Sequence, residues 1–98
     1  MLHMLVRHKV RDFDAWKRVF DSHAEAQRRA SIRVTQVWRS VADLAEVVLL
    51  FDVDDVERAK RFVYAPAVLG SQQESGVVDT PHILFLSSVG RVTGISVD

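Results

Sequence analysis

An internal repeat is the feature of this 98-residue sequence that most restricts its fold. The segment 10–20, VRDFDAWKRVF, aligns without a gap with the segment 53–63, VDDVERAKRFV, 43 residues further along the chain. The aligned pairs with identical residues are Val10/Val53, Asp12/Asp55, Lys17/Lys60 and Arg18/Arg61. In both copies an apolar, strand-like segment runs directly into a helical pattern. The sequence therefore predicts a duplicated unit and a fold with two equivalent halves.

The first copy predicts a helix with Asp12 as its N-cap and an apolar face that fades near Ala30. The side chains of that face recur at helical spacing; they are Phe13, Trp16, Val19, Phe20 and His23.

The second copy predicts a helix that begins at Asp54 or Asp55. Pro66 is expected to break or kink this helix, because proline lacks the N–H of the helical hydrogen bond. A further helical turn or two is expected over residues 69–74, ended by Gly76.

Four segments predict strands: Leu2–Val10, Ile32–Ser40, Ala45–Val53 and His82–Val89. The element order is then βαββαβ, which is typical of an α+β, ferredoxin-like fold. We expect an antiparallel four-stranded sheet in the spatial order 4-1-3-2, with both helices on one face. This domain spans residues 1–89, and the tail 90–98 alternates like a strand that could add to a sheet edge.

The third and fourth strands predict that the sheet face away from the helices is also apolar. Both strands carry apolar residues on both faces. A strand with one solvent-exposed face should instead alternate between apolar and polar residues. An uncovered apolar face favours aggregation. We therefore expect a homodimer in which this face packs on the same face of a second chain. The alternative is a monomer whose C-terminal tail folds over the sheet.

Composition excludes several classes of function. The chain has no cysteine, which rules out a disulfide scaffold, a thiolate metal site and a cysteine nucleophile. Its formal net charge is zero, which disfavours nucleic acid and anionic membranes as partners. No apolar run approaches the ~18 residues of a membrane span, and no signal peptide is recognisable, so a cytoplasmic location is expected. The four histidines lack close metal-ligand spacing, so no metal site is predicted.

Several segments together resemble the dimeric α+β barrel superfamily. They are VRHKV at 6–10, DFDAWK at 12–17, FDSH at 20–23 and LFDVDDVE at 50–57. This superfamily includes antibiotic biosynthesis monooxygenase-like proteins, polyketide-cyclase-like proteins and heme-degrading monooxygenases. The resemblance covers about residues 4–87 and implies the ferredoxin-like fold and a homodimer. His23 matches the helical histidine of that pattern, but Gln27 stands where an arginine is common and Ser31 where a glycine is expected.

Two histidines are the candidate catalytic residues. His8 shares a strand face with Val6 and Val10, and His23 lies on the apolar face of the first helix. Either could act as a pocket base, since histidine titrates near working pH, and either could instead be a core histidine with satisfied hydrogen bonds. Helix and strand rises place His23 level with Leu5 or Val6, roughly 7–10 Å from His8 along the strand axis.

Four further residues are candidate ligand contacts: Trp16, Trp38, Tyr64 and His82. Because strands one and two end where strands three and four begin, we expect Trp38 and His82 to lie near His8 and Trp16 at one mouth. The alternation of strand two predicts Trp38 on the same face as Ile32 and Val34. Aromatic rings with a few polar atoms suit an aromatic, partly polar ligand, although the same rings would also fill an ordinary core.

Three functions remain open at this point. The resemblance implies a cofactor-free monooxygenase or cyclase that acts on a small aromatic or polyketide-like molecule, with His8 or His23 as base. The second is a dimer that binds a ligand or partner without catalysis. The third is a heme-binding or heme-degrading protein with His23 or His82 as the iron ligand, ranked last because the chain has no asparagine to match the companion residue of such relatives.

Overall fold

The computed structural model describes residues 1–90 and places four strands and four helices in this part of the chain. The elements in chain order are β1 (Leu2–Lys9), α1 (Phe13–Ser22), α2 (Ala24–Arg29), β2 (Ile32–Arg39), β3 (Glu46–Val53), α3 (Val56–Val63), α4 (Pro66–Glu74) and β4 (His82–Ser87). The expected extra strand in the tail falls on residues 91–98, outside the described residues.

The strands form one antiparallel sheet in the order β2-β3-β1-β4. This confirms the predicted α+β, ferredoxin-like fold and its strand order. The two central strands, β1 and β3, are the equivalent strands of the two repeats. Their pairing register sets His8 opposite Val47 and His3 opposite Asp52.

Asp12 is confirmed as the N-cap of α1, and Asp55, one of the two residues at which the second helix was predicted to begin, is the N-cap of α3. The Asp12 carboxylate accepts a hydrogen bond from the Ala15 N–H at 3.2 Å, and the Asp55 carboxylate accepts one from the Arg58 N–H at 3.1 Å. Each bond satisfies an N–H group that has no partner within the helix. The identical aspartates of the repeat therefore start two equivalent helices.

Each half carries two helices rather than one. The single first helix predicted as far as Ala30 is wrong in this respect, because α1 ends at Ser22 and His23 leaves helical geometry with φ −97° and ψ 7°. In the second half α3 ends at Val63, and Pro66 opens α4 at a position where its missing N–H costs nothing. The break predicted at Pro66 is confirmed.

The last helix of each half ends at a residue with positive φ. Gly76 follows α4 with φ 97°, and the N–H groups of Gly76 and Val77 bond back to the carbonyls of Gln73 and Gln72. This Schellman arrangement favours glycine, which has no Cβ to clash. Ser31 occupies the equivalent place after α2 with φ 67°.

The core lies between the helices and one face of the sheet. Its most deeply buried side chains come from both repeats and include Met4, Val10, Trp16, Ile32, Val47 and Ala59. The even-numbered residues of β1 and the odd-numbered residues of β3 face the helices. Leu5, Val48 and Leu50 therefore lie on the opposite face, which is called the open face below.

A β-bulge between Val34 and Gln36 changes the alternation of β2. Val34 is opposite Phe51 on the helix side, whereas Gln36 is opposite Leu50 on the open face. The extra residue reverses the faces of every later side chain in the strand. The predicted placement of Trp38 on the same face as Ile32 and Val34 is therefore wrong.

Over residues 1–90, no helix combines the length and the apolar character needed to cross a membrane.

Candidate functional site

A cavity lies between the helices and the sheet, and residues of both repeats line it. It offers about 80 Å³ to the centres of water-sized molecules. Because one water needs roughly 10–15 Å³ of such space, the cavity has room for about five to eight waters. Its walls are mainly apolar, and its polar lining residues are His8, His23, Gln27, Ser71, Gln72 and Ser75.

His8 projects from β1 into the cavity wall and is only 3% exposed. Its ring meets the ring of Trp16 edge-on, with centroids 5.4 Å apart. The buried Nδ1 atom has no hydrogen-bond partner among the described residues. Burial lowers the pKa of His8 from its ordinary value, and the negative charge of Asp79 opposes this only in part. His8 is therefore a neutral imidazole at neutral pH, which can accept a proton.

His23 reaches the same cavity from the break between α1 and α2. Its Nε2 atom lies 3.5 Å from the Ser71 hydroxyl of α4. His8 and His23 thus both line this cavity. No hydrogen bond joins the two imidazoles, as their predicted separation along the strand implies.

Aromatic rings form the wall between the two histidines. Trp16 stacks on Phe20 at 5.0 Å between centroids, and Phe20 meets Phe51 edge-on at 6.2 Å. Trp16 is one of the predicted ligand contacts that the structure places in the cavity. Such rings offer flat apolar surface to an aromatic ligand.

The amide and hydroxyl groups of this site, on Gln27, Ser71 and Ser75, were not among the predicted ligand contacts. Gln27 is 7% exposed and Ser75 is 9% exposed, and both line the cavity. Gln27 follows His23 by four residues, and Ser75 follows Ser71 by four, so each pair shares a helix face. The four-residue spacing from His23 could have identified Gln27 as a site residue from the sequence. The face of α4 could not be recognised because this helix has little amphipathic pattern.

Three predicted ligand contacts do not line the cavity. Trp38 is 45% exposed on the open face, because the bulge in β2 sets it opposite Val48. His82 also lies on the open face, opposite Arg7 rather than beside His8. Tyr64 caps α3 and is 54% exposed. The single mouth expected from these residues is therefore wrong, since strand alternation divides them between the two faces of the sheet.

Within the described part of the chain, no group of three or more histidine, aspartate or glutamate side chains is arranged to hold a metal ion.

Solved structures share this fold over nearly the whole chain. A protein from Bordetella bronchiseptica matches with a TM-score of 0.71 at 12% identity, covering 90% of this chain and 96% of that one. A protein from Deinococcus radiodurans matches with a TM-score of 0.67 at 12% identity, covering 98% and 100%. A third, from Nitrosomonas europaea, matches with a TM-score of 0.65 at 14% identity, covering 92% and 100%. All three are provisionally named antibiotic biosynthesis monooxygenases.

These likenesses show that the chain has the fold of antibiotic biosynthesis monooxygenase-like proteins, as the sequence resemblance implies. No protein-family model matches the chain, and the search of curated proteins finds no match. At such low identity the shared fold does not carry an activity with it.

Proposed function

We propose that this protein binds a small aromatic or polyketide-like molecule between its helices and its sheet and acts on it as a cofactor-free monooxygenase or cyclase. The observation that carries the proposal is His8, a buried and neutral imidazole in the wall of a cavity lined by aromatic rings. The names of the structural neighbours support the same class of chemistry.

The proposed reaction begins with proton transfer to His8. A neutral imidazole can remove the acidic C–H proton of a bound anthrone in its keto form or of another ketone, and the lowered pKa of His8 keeps it unprotonated at neutral pH. The surrounding rings of Trp16 and Phe20 exclude water, which would otherwise return a proton to the carbanion. In an anthrone-type substrate the carbanion then reacts with dioxygen, giving the quinone and water. In a cyclase the same proton transfer forms an enolate that attacks a carbonyl of the same molecule.

The polar wall is suited to hold the oxygen atoms of such a ligand. Gln27 offers an amide N–H₂ and a carbonyl, and Ser71 offers a hydroxyl close to His23. In this proposal His23 is a positioning residue at the other end of the ligand, with His8 as the base. The site binds uncharged or weakly acidic molecules, since no lysine or arginine side chain lines the cavity in residues 1–90.

Heme is not part of the proposal. His82, one of the two alternative iron ligands, lies on the opposite face of the sheet from the cavity. His23, the other, lines the cavity beside the Ser71 hydroxyl, where the proposal gives it a positioning role.

Oxygen uptake with an anthrone-type phenol tests the proposed reaction. We expect the wild type to consume oxygen, the variant His8→Ala to lose at least about 100-fold in rate, and His23→Ala to affect mainly KM. Filling the cavity with Val68→Phe on α4 should also abolish activity, whereas the matched variant Val41→Phe in an exposed loop should retain it. Unchanged uptake in a His8→Ala, His23→Ala double variant would overturn the proposed chemistry.

Ligand binding is measured separately through the quenching of Trp16 fluorescence. The variant Trp38→Phe removes the only other tryptophan and leaves Trp16 in the cavity wall as the reporter. Quenching by the phenol without oxygen uptake or cyclisation would support the second candidate, a ligand-binding protein without catalysis. Quenching that persists in Val68→Phe would contradict binding in this cavity.

We also propose that two chains pair through the open face. Its central row runs across the sheet from Leu84 to Leu5 and Leu50, and Leu84 is 44% exposed. Trp38, which is 45% exposed, extends this apolar surface on the side of the Leu5 row that faces away from His3. A second copy of the same face is a self-complementary cover, and the two-fold contact needs no other partner.

Sedimentation equilibrium tests the dimer. We expect a dimer for the wild type and a monomer for Leu84→Arg, because the substitution buries a charge without a partner. The matched variant is Leu44→Arg, which makes the same substitution at a leucine that is 60% exposed in the β2–β3 connection. This variant should remain a dimer. A monomeric wild type at about 100 μM would contradict the proposal.

A further inference from the structure

A second group of side chains with catalytic geometry lies away from the helix–sheet cavity. It comprises Ser88, His3 and Asp52, at the end of the sheet where β1 begins and β3 and β4 end. His3 projects from the open face and is opposite Asp52 on β3 and Leu86 on β4. Ser88 follows the last residue of the edge strand β4, and its N–H donates to the Met1 carbonyl at 2.9 Å. The pairing of three strands thus brings together residues that are 49 and 85 positions apart.

The three side chains form a continuous hydrogen-bonded relay. His3 Nδ1 lies 3.1 Å from Asp52 Oδ1, and His3 Nε2 lies 3.1 Å from Ser88 Oγ. In the tautomer that carries its proton on Nδ1, His3 donates to the carboxylate and accepts from the serine hydroxyl. Both distances are within the range at which a base activates a nucleophile. We propose that Ser88, His3 and Asp52 form a nucleophilic acyl-transfer site that accepts activated carboxylic esters.

Each residue has a defined part in this site. Ser88 Oγ attacks the ester carbonyl and forms a new C–O bond while its proton passes to His3 Nε2. The bond to the leaving oxygen then breaks, and the same proton goes to that oxygen. Water repeats the sequence on the acyl-serine and releases the carboxylic acid, so no oxidant or metal is consumed. Asp52 orients the imidazole and stabilises its protonated form.

The surroundings determine which esters fit. Ser88 is exposed at the rim of the sheet, whereas His3 and Asp52 are about three-quarters shielded from solvent. The second oxygen of Asp52 lies 3.9 Å from an Arg33 guanidinium nitrogen, which is an ion-pair distance and too long for a hydrogen bond. An exposed nucleophile with a partly buried base can reach small esters whose leaving group is an acidic phenol, which takes the proton from His3 as it departs and ionises afterwards in solution. Peptides and alkyl esters, which need strong stabilisation of the oxyanion, are not expected substrates.

The probe is p-nitrophenyl acetate, with acetylation followed by intact mass and peptide mapping. We expect the full chain to be acetylated at Ser88 and to release p-nitrophenolate. The rate should fall at least about tenfold in Ser88→Ala, in His3→Ala and in Asp52→Asn. The matched control is Ser87→Ala, since Ser87 is the adjacent serine of β4 and has no described contact with His3. Acetylation confined to lysines, or equal rates in Ser88→Ala and Ser87→Ala, would overturn the proposal.

A thiol version gives a readout that does not depend on turnover. The chain has no cysteine, so Ser88→Cys and Ser87→Cys each introduce a single thiol. We expect iodoacetamide to alkylate Ser88→Cys at least fivefold faster than Ser87→Cys, and His3→Ala to remove the difference. Equal alkylation rates in the two cysteine variants would show that His3 does not activate position 88. The outcome is independent of the helix–sheet cavity, which lies on the other face of the sheet.

Discussion

Replacing His8 by phenylalanine should make the protein more stable while removing its proposed base. The change removes a buried Nδ1 atom that has no partner and retains a flat ring against Trp16. The repeat supports this choice, because Phe51 occupies the position in β3 that is equivalent to His8 in β1 and is only 4% exposed. The additional ring carbon points toward the adjacent cavity, so severe overpacking is not expected.

The size of the effect follows from the burial of His8. A buried polar atom without a partner costs about 1–3 kcal/mol, and part of that gain is offset by repacking around the larger ring. We therefore expect the free energy of unfolding to rise by about 1 kcal/mol at pH 7.5. Oxygen uptake by His8→Phe should be lost, as in His8→Ala.

The same variant should change the pH dependence of stability. The pKa of His8 is lowered in the folded protein, whereas in the unfolded chain it has its ordinary value of 6.5. As the pH falls through 6.5, the unfolded chain binds a proton that the folded chain does not, so the wild type loses stability. One such group contributes a slope of at most ~1.4 kcal/mol per pH unit. The advantage of His8→Phe should therefore grow between pH 7.5 and pH 5.5.

Urea unfolding at pH 7.5, 6.5 and 5.5, followed by circular dichroism, measures both quantities. The difference between variant and wild type isolates His8, because all other titrating groups are common to the two proteins. A destabilised variant at pH 7.5 would refute the unsatisfied burial of Nδ1. A difference in stability that does not depend on pH would refute the neutral, desolvated state of the imidazole.

Three further predictions concern the helix ends and use the same unfolding assay. Ser31→Gly should stabilise the protein by about 0.5–1 kcal/mol, because a side chain at φ 67° costs about 1–2 kcal/mol and the unfolded chain gains freedom with glycine; lower stability would contradict this. Gly76→Ala should destabilise by about 1–2 kcal/mol through its φ of 97°, since the atom nearest to the added Cβ, Arg11 Cβ at 3.6 Å, is at ordinary contact distance; a neutral effect would contradict that reasoning. Asp55→Ala should cost about 1 kcal/mol by leaving the Arg58 N–H without its cap, and Asp55→Asn should restore most of it.

The sequence was sufficient to predict the framework because local signals and the repeat agree. Asp12 and Asp55 cap helices at equivalent positions, and the apolar strands β1 and β3 form the centre of the sheet. Period-two alternation, by contrast, predicts faces only while the register is regular. One extra residue in β2 moved Trp38 to the open face, and nothing in the sequence around Thr35 marks that bulge.

Side-chain contacts between strands could not be predicted from the sequence, for a different reason. His3, Asp52 and Ser88 have no common motif, and their meeting depends on the exact register of β1 with both β3 and β4. A shift of either pairing by one residue would turn the partner to the other face. Sequence patterns predict which strands are neighbours but not that register.

The repeat also explains where the helix–sheet site lies. At the offset of 43 residues, His8 is equivalent to Phe51, Trp16 to Ala59 and His23 to Pro66. In the second half these positions carry no polar side-chain atoms: Phe51 and Ala59 are buried in the core, and Pro66 starts a helix after the break. The first half keeps the same strand position, helix face and helix break, but has two imidazoles and an indole there. All three of these side chains line the cavity. Because the second half has apolar residues at the equivalent positions, this backbone does not require histidines there, which supports the proposed role of His8 and His23 in ligand chemistry.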